Sequence, residues 1–198
     1  PGARTRTDLT MDEAAEQMRE VFSAGLKDQL RSDVPIGFAL SGGLDSSAVT
    51  TTARKLMGPD APLHTFSFIP RHPLINETRF SDEVVRATNS TAHQFTLDAE
   101  NLATDFDALT DHQGEPISNP VVYAQYRLFA RAREEGVTVV LTGEGADELL
   151  AGYDLFAPSR VASMLREGRL RDAARLIQNA PATGNSRGRM TRGALQAV

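Results

Sequence analysis

Cysteine is missing from all 198 residues. That excludes disulfides, zinc–thiolate centres and a cysteine nucleophile within them. No apolar run is long enough to cross a bilayer and no secretory leader is evident, so no membrane role is expected and the expected location is cytoplasmic. The four histidines show no metal-ligand spacing; His64 and His93 are expected as strand-end residues rather than ligands. No lysine follows Lys55, and no internal repeat is present. What remains is 40% hydrophobic, enough for one domain with a real core.

Charge is uneven. Residues 1–153 carry 13 basic and 23 acidic side chains, while residues 154–198 carry eight arginines and three acids, so segments of −10 and +5 make up the net −5. An acidic body argues against broad nucleic-acid binding. The arginine-rich end reads as a solvated helical face over residues 161–177, followed by a loop over residues 181–189.

Strands are expected at residues 36–40, 63–69, 93–97 and 137–141, with helices at 11–30, 48–57, 79–89, 99–111 and 121–135. This alternation predicts an α/β fold, a parallel sheet with helices on both faces. Ligands of such sheets sit beyond the strand C-termini.

Two motifs fall at such places. The first, Ser41-Gly42-Gly43-Leu44-Asp45-Ser46-Ser47, follows the apolar run Ile36-Gly37-Phe38-Ala39-Leu40. The glycines let a ligand approach the main chain, and free N–H groups at a helix start favour an anion such as a polyphosphate. A carboxylate at Asp45 would repel that ligand unless a cation lay between them; Mg²⁺ is the expected cation, and a second carboxylate is expected elsewhere. The alternative is that Asp45 and the serines only cap a helix. The second motif runs from Leu141 through Thr142-Gly143-Glu144-Gly145-Ala146-Asp147-Glu148 to Tyr153, directly after a β-branched strand. Neither G-x-x-x-x-G-K-[ST] nor a strand-linked G-x-G-x-x-G occurs.

The first motif resembles the PP-loop, S-G-G-x-D-S, of ATP pyrophosphatases, which cleave ATP to AMP and pyrophosphate. Together the motifs resemble the synthetase domain of glutamine-dependent asparagine synthetases, in which S-G-G-L-D-S-S is paired with G-E-G-[SA]-D-E. The resemblance covers residues 34–153. It implies a Rossmann-like, adenine nucleotide alpha hydrolase-like fold, with ATP and Mg²⁺ as cofactors. It further implies that Ser41, Gly42, Gly43, Asp45, Ser46 and Ser47 hold phosphates. Backbone groups of Leu40, of the strand end around Phe68 and of Gly143 would seat adenine and ribose. Asp45 and Asp147 would be the Mg²⁺ pair and Glu144 the catalytic residue managing protons during amine attack. Relatives that close β-lactam rings carry tyrosine at that last position, so glutamate favours ammonia as nucleophile.

The expected organisation is a leading helical segment at residues 1–33, a PP-loop α/β domain at 34–157 and a helical C-terminal piece at 158–198. The expected activity is ATP-dependent amide formation, in which aspartate or another carboxylate is activated as an acyl-adenylate and then attacked by ammonia from glutamine. The family's N-terminal glutamine amidotransferase domain, with its nucleophilic cysteine, and a later phosphate-binding lysine are absent from these residues, so the chain is expected to be a piece of a larger synthetase. A homodimer is left open. The family's T-T-x-R stretch, implicated in aspartate recognition, is replaced by Ser118-Asn119-Pro120-Val121-Val122-Tyr123, with no arginine before Arg127, itself expected as a solvated helix residue. Two other readings stand beside asparagine synthesis: an amide-forming relative acting on another carboxylate, and a silent nucleotide-binding module.

Overall fold

The computed structural model describes residues 9–70, 77–117, 119–150, 152–153 and 156–178. The loop expected at 181–189 and Ser118 lie outside them. The chain divides into two compact units, Pro1–Gly143 and Glu144–Val198.

The first unit is built on β1 (Ile36–Ala39), β2 (His64–Phe68), β3 (Thr91–Phe95) and β4 (Val139–Leu141). All neighbours pair in parallel, in the order β3-β2-β1-β4. The helices are α1 (Met11–Gln29), α2 (Leu44–Met57), α3 (Thr78–Thr88), α4 (Ala99–Gln113) and α5 (Pro120–Glu134). Both faces of the sheet are covered. On one, fully buried Phe38 packs with Leu26 of α1, Ala53 of α2 and Leu63; on the other, fully buried Phe66 packs with Ala132 of α5 and Val137. Each phenylalanine contributes about 2–3 kcal/mol by leaving water. The expected α/β class is therefore the observed one.

Polar side chains set the helix boundaries. Thr10 and Glu13 form a reciprocal capping box on α1, Asp98 accepts from the Asn101 amide at the start of α4, and Asn119 caps α5 with Pro120 in its first turn. Left-handed Asn89 and Gly114 end α3 and α4.

Three of the expected spans are redrawn, and others move by one or two residues at an end. β3 runs from Thr91 to Phe95 rather than over 93–97, because the Thr91 amide already donates to Leu63 O (2.9 Å) and Asp98 must stand free to cap α4. β4 is shortened to Val139–Leu141, since Val137 N is spent on Ala132 O at the end of α5. α2 begins four residues early, at Leu44.

The second unit holds α6 (Ala146–Leu150), α7 (Phe156–Arg166) and α8 (Leu170–Gln178). The single helical face expected over 161–177 is two helices. Gly168 takes a positive φ of 73° between them, while Arg169 N reaches back to Met164 O (2.8 Å). Val161 and Ala162 of α7 pack on Ala173 of α8. Among the described residues, no helix is long and apolar enough to cross a membrane.

Candidate functional site

The sheet order fixes where a ligand can enter. From β1 the chain builds outward through β2 to β3, then returns to place β4 on the other side of β1. Strand order reverses between β1 and β4, and the crevice at such a switch point is where open parallel sheets bind ligands. The two sequence motifs leave the C-terminal ends of these two strands.

The first motif forms a closed turn. Gly43 N donates to Ser41 Oγ (3.1 Å), Ser41 N donates to Ser46 Oγ (3.2 Å), and the two hydroxyls lie 3.0 Å apart, with Ser46 Oγ also donating to Gly43 O (3.3 Å). Ser46 is buried, so its hydroxyl shapes the turn. Gly43 is the N-cap of α2 and no side chain caps that helix. Leu44, Asp45 and Ser46 thus present first-turn N–H groups to whatever lies ahead of the helix. Asp45 is therefore not the cap. It sits inside the first turn, half-buried, and its carboxylate has no hydrogen-bond or ion-pair partner among the described residues.

Two close approaches hold this turn. Gly42 has φ +95°, and a methyl group there would stand 2.7 Å from Glu77 O and 2.9 Å from Ser81 N, at the start of α3. At Gly143, a methyl group would stand 2.8 Å from Ser46 N and 3.0 Å from Asp45 Cβ. The unit thus brings Ser41, Gly42, Gly43, Asp45, Ser46, Ser47 and Gly143 together. Sequence reading missed the α3 start as a wall of the turn, because contacts between Gly42 and Glu77–Ser81 leave no local pattern.

Leu40 is buried, and both its backbone groups are engaged: its N–H donates to Phe66 O (2.9 Å) and its carbonyl accepts from Ser67 Oγ (2.6 Å). A further contact to Leu40 would use the second lone pair of that carbonyl. Phe68 ends β2, half-buried, its ring 6.2 Å from that of Phe95.

In the second unit Glu144 is exposed and Asp147 half-buried in the first turn of α6. Asp147 O accepts from Gly152 N (2.9 Å), and its carboxylate lies so close to Gly152 Cα that a side chain there would collide with it. Glu148 accepts from the Tyr153 hydroxyl (3.0 Å), which pushes the Tyr153 phenol above its ordinary pKa. Among the described residues no group of three or more acidic or histidine side chains gathers into an ion site. A lone half-buried carboxylate beside free amides instead suits Mg²⁺, which takes few protein ligands and completes its shell with phosphate oxygens and water.

Arg127 is not merely solvated. It pairs with Asp105 of α4 (3.2 Å), which also accepts from the Tyr123 hydroxyl (2.8 Å). Burial is the first cause, and the Asp105 bond the second, that pushes Tyr123 up to about 12. His64 and His93 lie on neighbouring strands with Nδ1 and Nε2 2.9 Å apart, and Glu135 faces His93 Nδ1 at 3.4 Å.

The asparagine synthase family model matches residues 17–197. The chain belongs to the asparagine synthase family. It is 29% identical over 145 residues to asparagine synthetase [glutamine-hydrolyzing] 1 of Bacillus subtilis, covering 73% of this chain and 22% of that protein. It is 33% identical over 138 residues to the putative asparagine synthetase [glutamine-hydrolyzing] 2 of Methanocaldococcus jannaschii, covering 70% and 26%. Amidase chyE of Penicillium rubens is 29% identical over 157 residues, covering 73% and 23%. The chain thus spans about a quarter of the length of these curated relatives. Among solved structures, NAD+ synthetase from Burkholderia pseudomallei superposes with a TM-score of 0.45 at 17% identity, covering 93% of this chain and 84% of that one.

Proposed function

We propose that this chain is the ATP-binding part of an amide-forming synthetase that activates a carboxylate as its acyl-adenylate and delivers it to ammonia, with aspartate as the leading acceptor. The observation that carries the reading is the uncapped start of α2 behind a closed glycine turn, with an unpartnered Asp45 in its first turn. Family membership supplies the reaction class.

A carboxylate does not condense with an amine in water without activation. In the proposed sequence the carboxylate oxygen attacks the α-phosphorus of ATP, the bond to the β-phosphate oxygen breaks and pyrophosphate leaves. Ammonia then attacks the acyl carbon, AMP leaves and the ammonium-derived proton is lost. The chain's part is positioning and charge. First-turn amides of Leu44, Asp45 and Ser46, with the Ser47 hydroxyl, would hold phosphate oxygens; Ser41 and Ser46 would keep the turn in shape. Asp45 and Asp147 would hold Mg²⁺, which when bound neutralises charge on the departing pyrophosphate. Glu144 would take the proton from the attacking amine.

A second acceptor class is favoured by one observation: the T-T-x-R arginine is absent, and Arg127 is already committed to Asp105. A carboxylate other than aspartate therefore stands as the second reading. ATP–pyrophosphate exchange by the intact protein across a panel of carboxylates tests both. Exchange stimulated by aspartate supports the first reading, by another acid the second. No exchange with any acid, despite a folded protein, overturns the proposal.

A further inference from the structure

We propose that Arg79 is a phosphate-binding residue of the glycine turn, supplying a cation for the polyphosphate; this rests on the ATP-binding reading above. Arg79 lies in the first turn of α3, the turn whose neighbouring residues, Glu77, Phe80 and Ser81, close over Gly42. Phe80 Cβ stands 3.3 Å from the direction a Gly42 side chain would take, and the Arg79 guanidinium is held over the Phe80 ring at 4.4 Å from its centroid. Ring stacking fixes the cation without using any of its five N–H donors. Arg79 is exposed and makes no ion pair among the described residues.

Its place is unfavourable for the helix alone. A cation in the first turn opposes the helix dipole. The carboxylate at this helix start, that of the N-cap Glu77, lies toward Gly43, 3.8 Å from where a methyl group there would stand, and makes no ion pair with Arg79. The last turn of α3, where a cation is welcome, already holds Arg86. The other helix touching the turn, α2, keeps Arg54 and Lys55 in its last turn, about 15 Å along its axis. Arg79 is thus the cation at the loop end of these two helices. A polyphosphate with one Mg²⁺ still carries net negative charge, and a guanidinium with free donors is suited to meet it.

The test is titration calorimetry of Mg²⁺–pyrophosphate into the intact protein and its variants, with thermal unfolding alongside. Arg79→Gln is expected to weaken binding about tenfold, the order of one lost charge-assisted hydrogen bond, and Arg79→Lys by less. Arg86→Gln should bind as the unaltered protein does. The unfolding midpoint of Arg79→Gln should be unchanged or higher, because an opposed charge has left the helix start. Binding within twofold of the unaltered protein, or equal weakening in Arg86→Gln, overturns the role of Arg79. A lowered midpoint with unchanged binding makes Arg79 a packing residue on Phe80. Failure of the unaltered protein to bind Mg²⁺–pyrophosphate overturns the ATP-binding reading, and this inference with it.

Discussion

Gly143 rests its Cα against Asp45, with 3.0 Å to that residue's Cβ for any methyl group added there. The glycine that closes β4 thereby sets how near the second strand end comes to the first turn of α2. Its other near neighbour is backbone, Ser46 N at 2.8 Å, which cannot swing aside as a flexible side chain would. Gly143→Ala is therefore expected to displace the start of α2, cost about 1–3 kcal/mol of stability and lower ATP–pyrophosphate exchange at least tenfold. Chemical denaturation and exchange kinetics check the two effects separately. Normal exchange in the alanine variant would show that the contact is unimportant for the site.

Asp45→Asn and Asp147→Asn are each expected to abolish Mg²⁺-dependent exchange while leaving the protein folded. For Asp45 the reason is direct: its carboxylate has no partner among the described residues, so removing its charge breaks no native bond. Circular dichroism with exchange assays at varied Mg²⁺ decides the matter. Unimpaired exchange in a folded variant removes that residue from the metal pair.

Much of this was legible in the residues. Apolar and β-branched runs marked all four strands, and the turn chemistry at Gly42–Gly43 and Gly143, after the first and last of them, marked the candidate site. The shift of α2 to Leu44 was recoverable in principle, since aspartate and serine after a glycine suit a first helical turn. Contacts between distant segments were not legible. Nothing in the spacing of Gly42 and Glu77, of Asp105 and Arg127, or of His64 and His93 marks them as neighbours. Such pairs arise from how helices and strands stack, and local pattern carries no record of it.

The histidine pair predicts a pH dependence. His93, stacked on Phe66 and flanked by His64, Glu135 and Arg131, has its pKa held below the ordinary 6.5, chiefly by burial and against the pull of Glu135. With Nδ1–H facing Glu135, Nε2 is left to accept from His64; protonating His93 destroys that acceptor. A lowered folded pKa means that the unfolded chain binds more protons in this window. Stability is then complete above pH 6.5 and falls as pH drops through the depressed value. Thermal midpoints from pH 7.5 to 5.5 should decline in the unaltered protein and decline less in His93→Gln. Parallel slopes would remove His93 as the source.

Arg54 is predicted to matter for stability rather than chemistry. Its guanidinium donates to Thr88 O (2.6 Å), Gly58 O (2.8 Å), Pro59 O (3.2 Å) and Ala61 O (2.8 Å), joining the ends of α2 and α3 to the loop that enters β2. Arg54→Ala leaves these carbonyls short of a charged donor and should cost about 3 kcal/mol. Denaturant titration measures it. A loss under about 1 kcal/mol would mean that water replaces the guanidinium at little cost.

Glu144→Gln separates the two halves of the proposed reaction. Glutamine keeps the size and hydrogen-bonding reach of glutamate but cannot take a proton, so a step that needs a base fails while one that needs only binding survives. Adenylate formation, read as ATP–pyrophosphate exchange, is expected to stay within about threefold of the unaltered protein. Amide release from ammonia should fall by about 10²–10⁴, the usual worth of a positioned base. The exposure of Glu144 at the start of the second unit makes a folding defect from this change a poor explanation for any loss. Equal loss of both half-reactions would reassign Glu144 to binding, and full amide release would leave the proton to solvent or to the leaving phosphate.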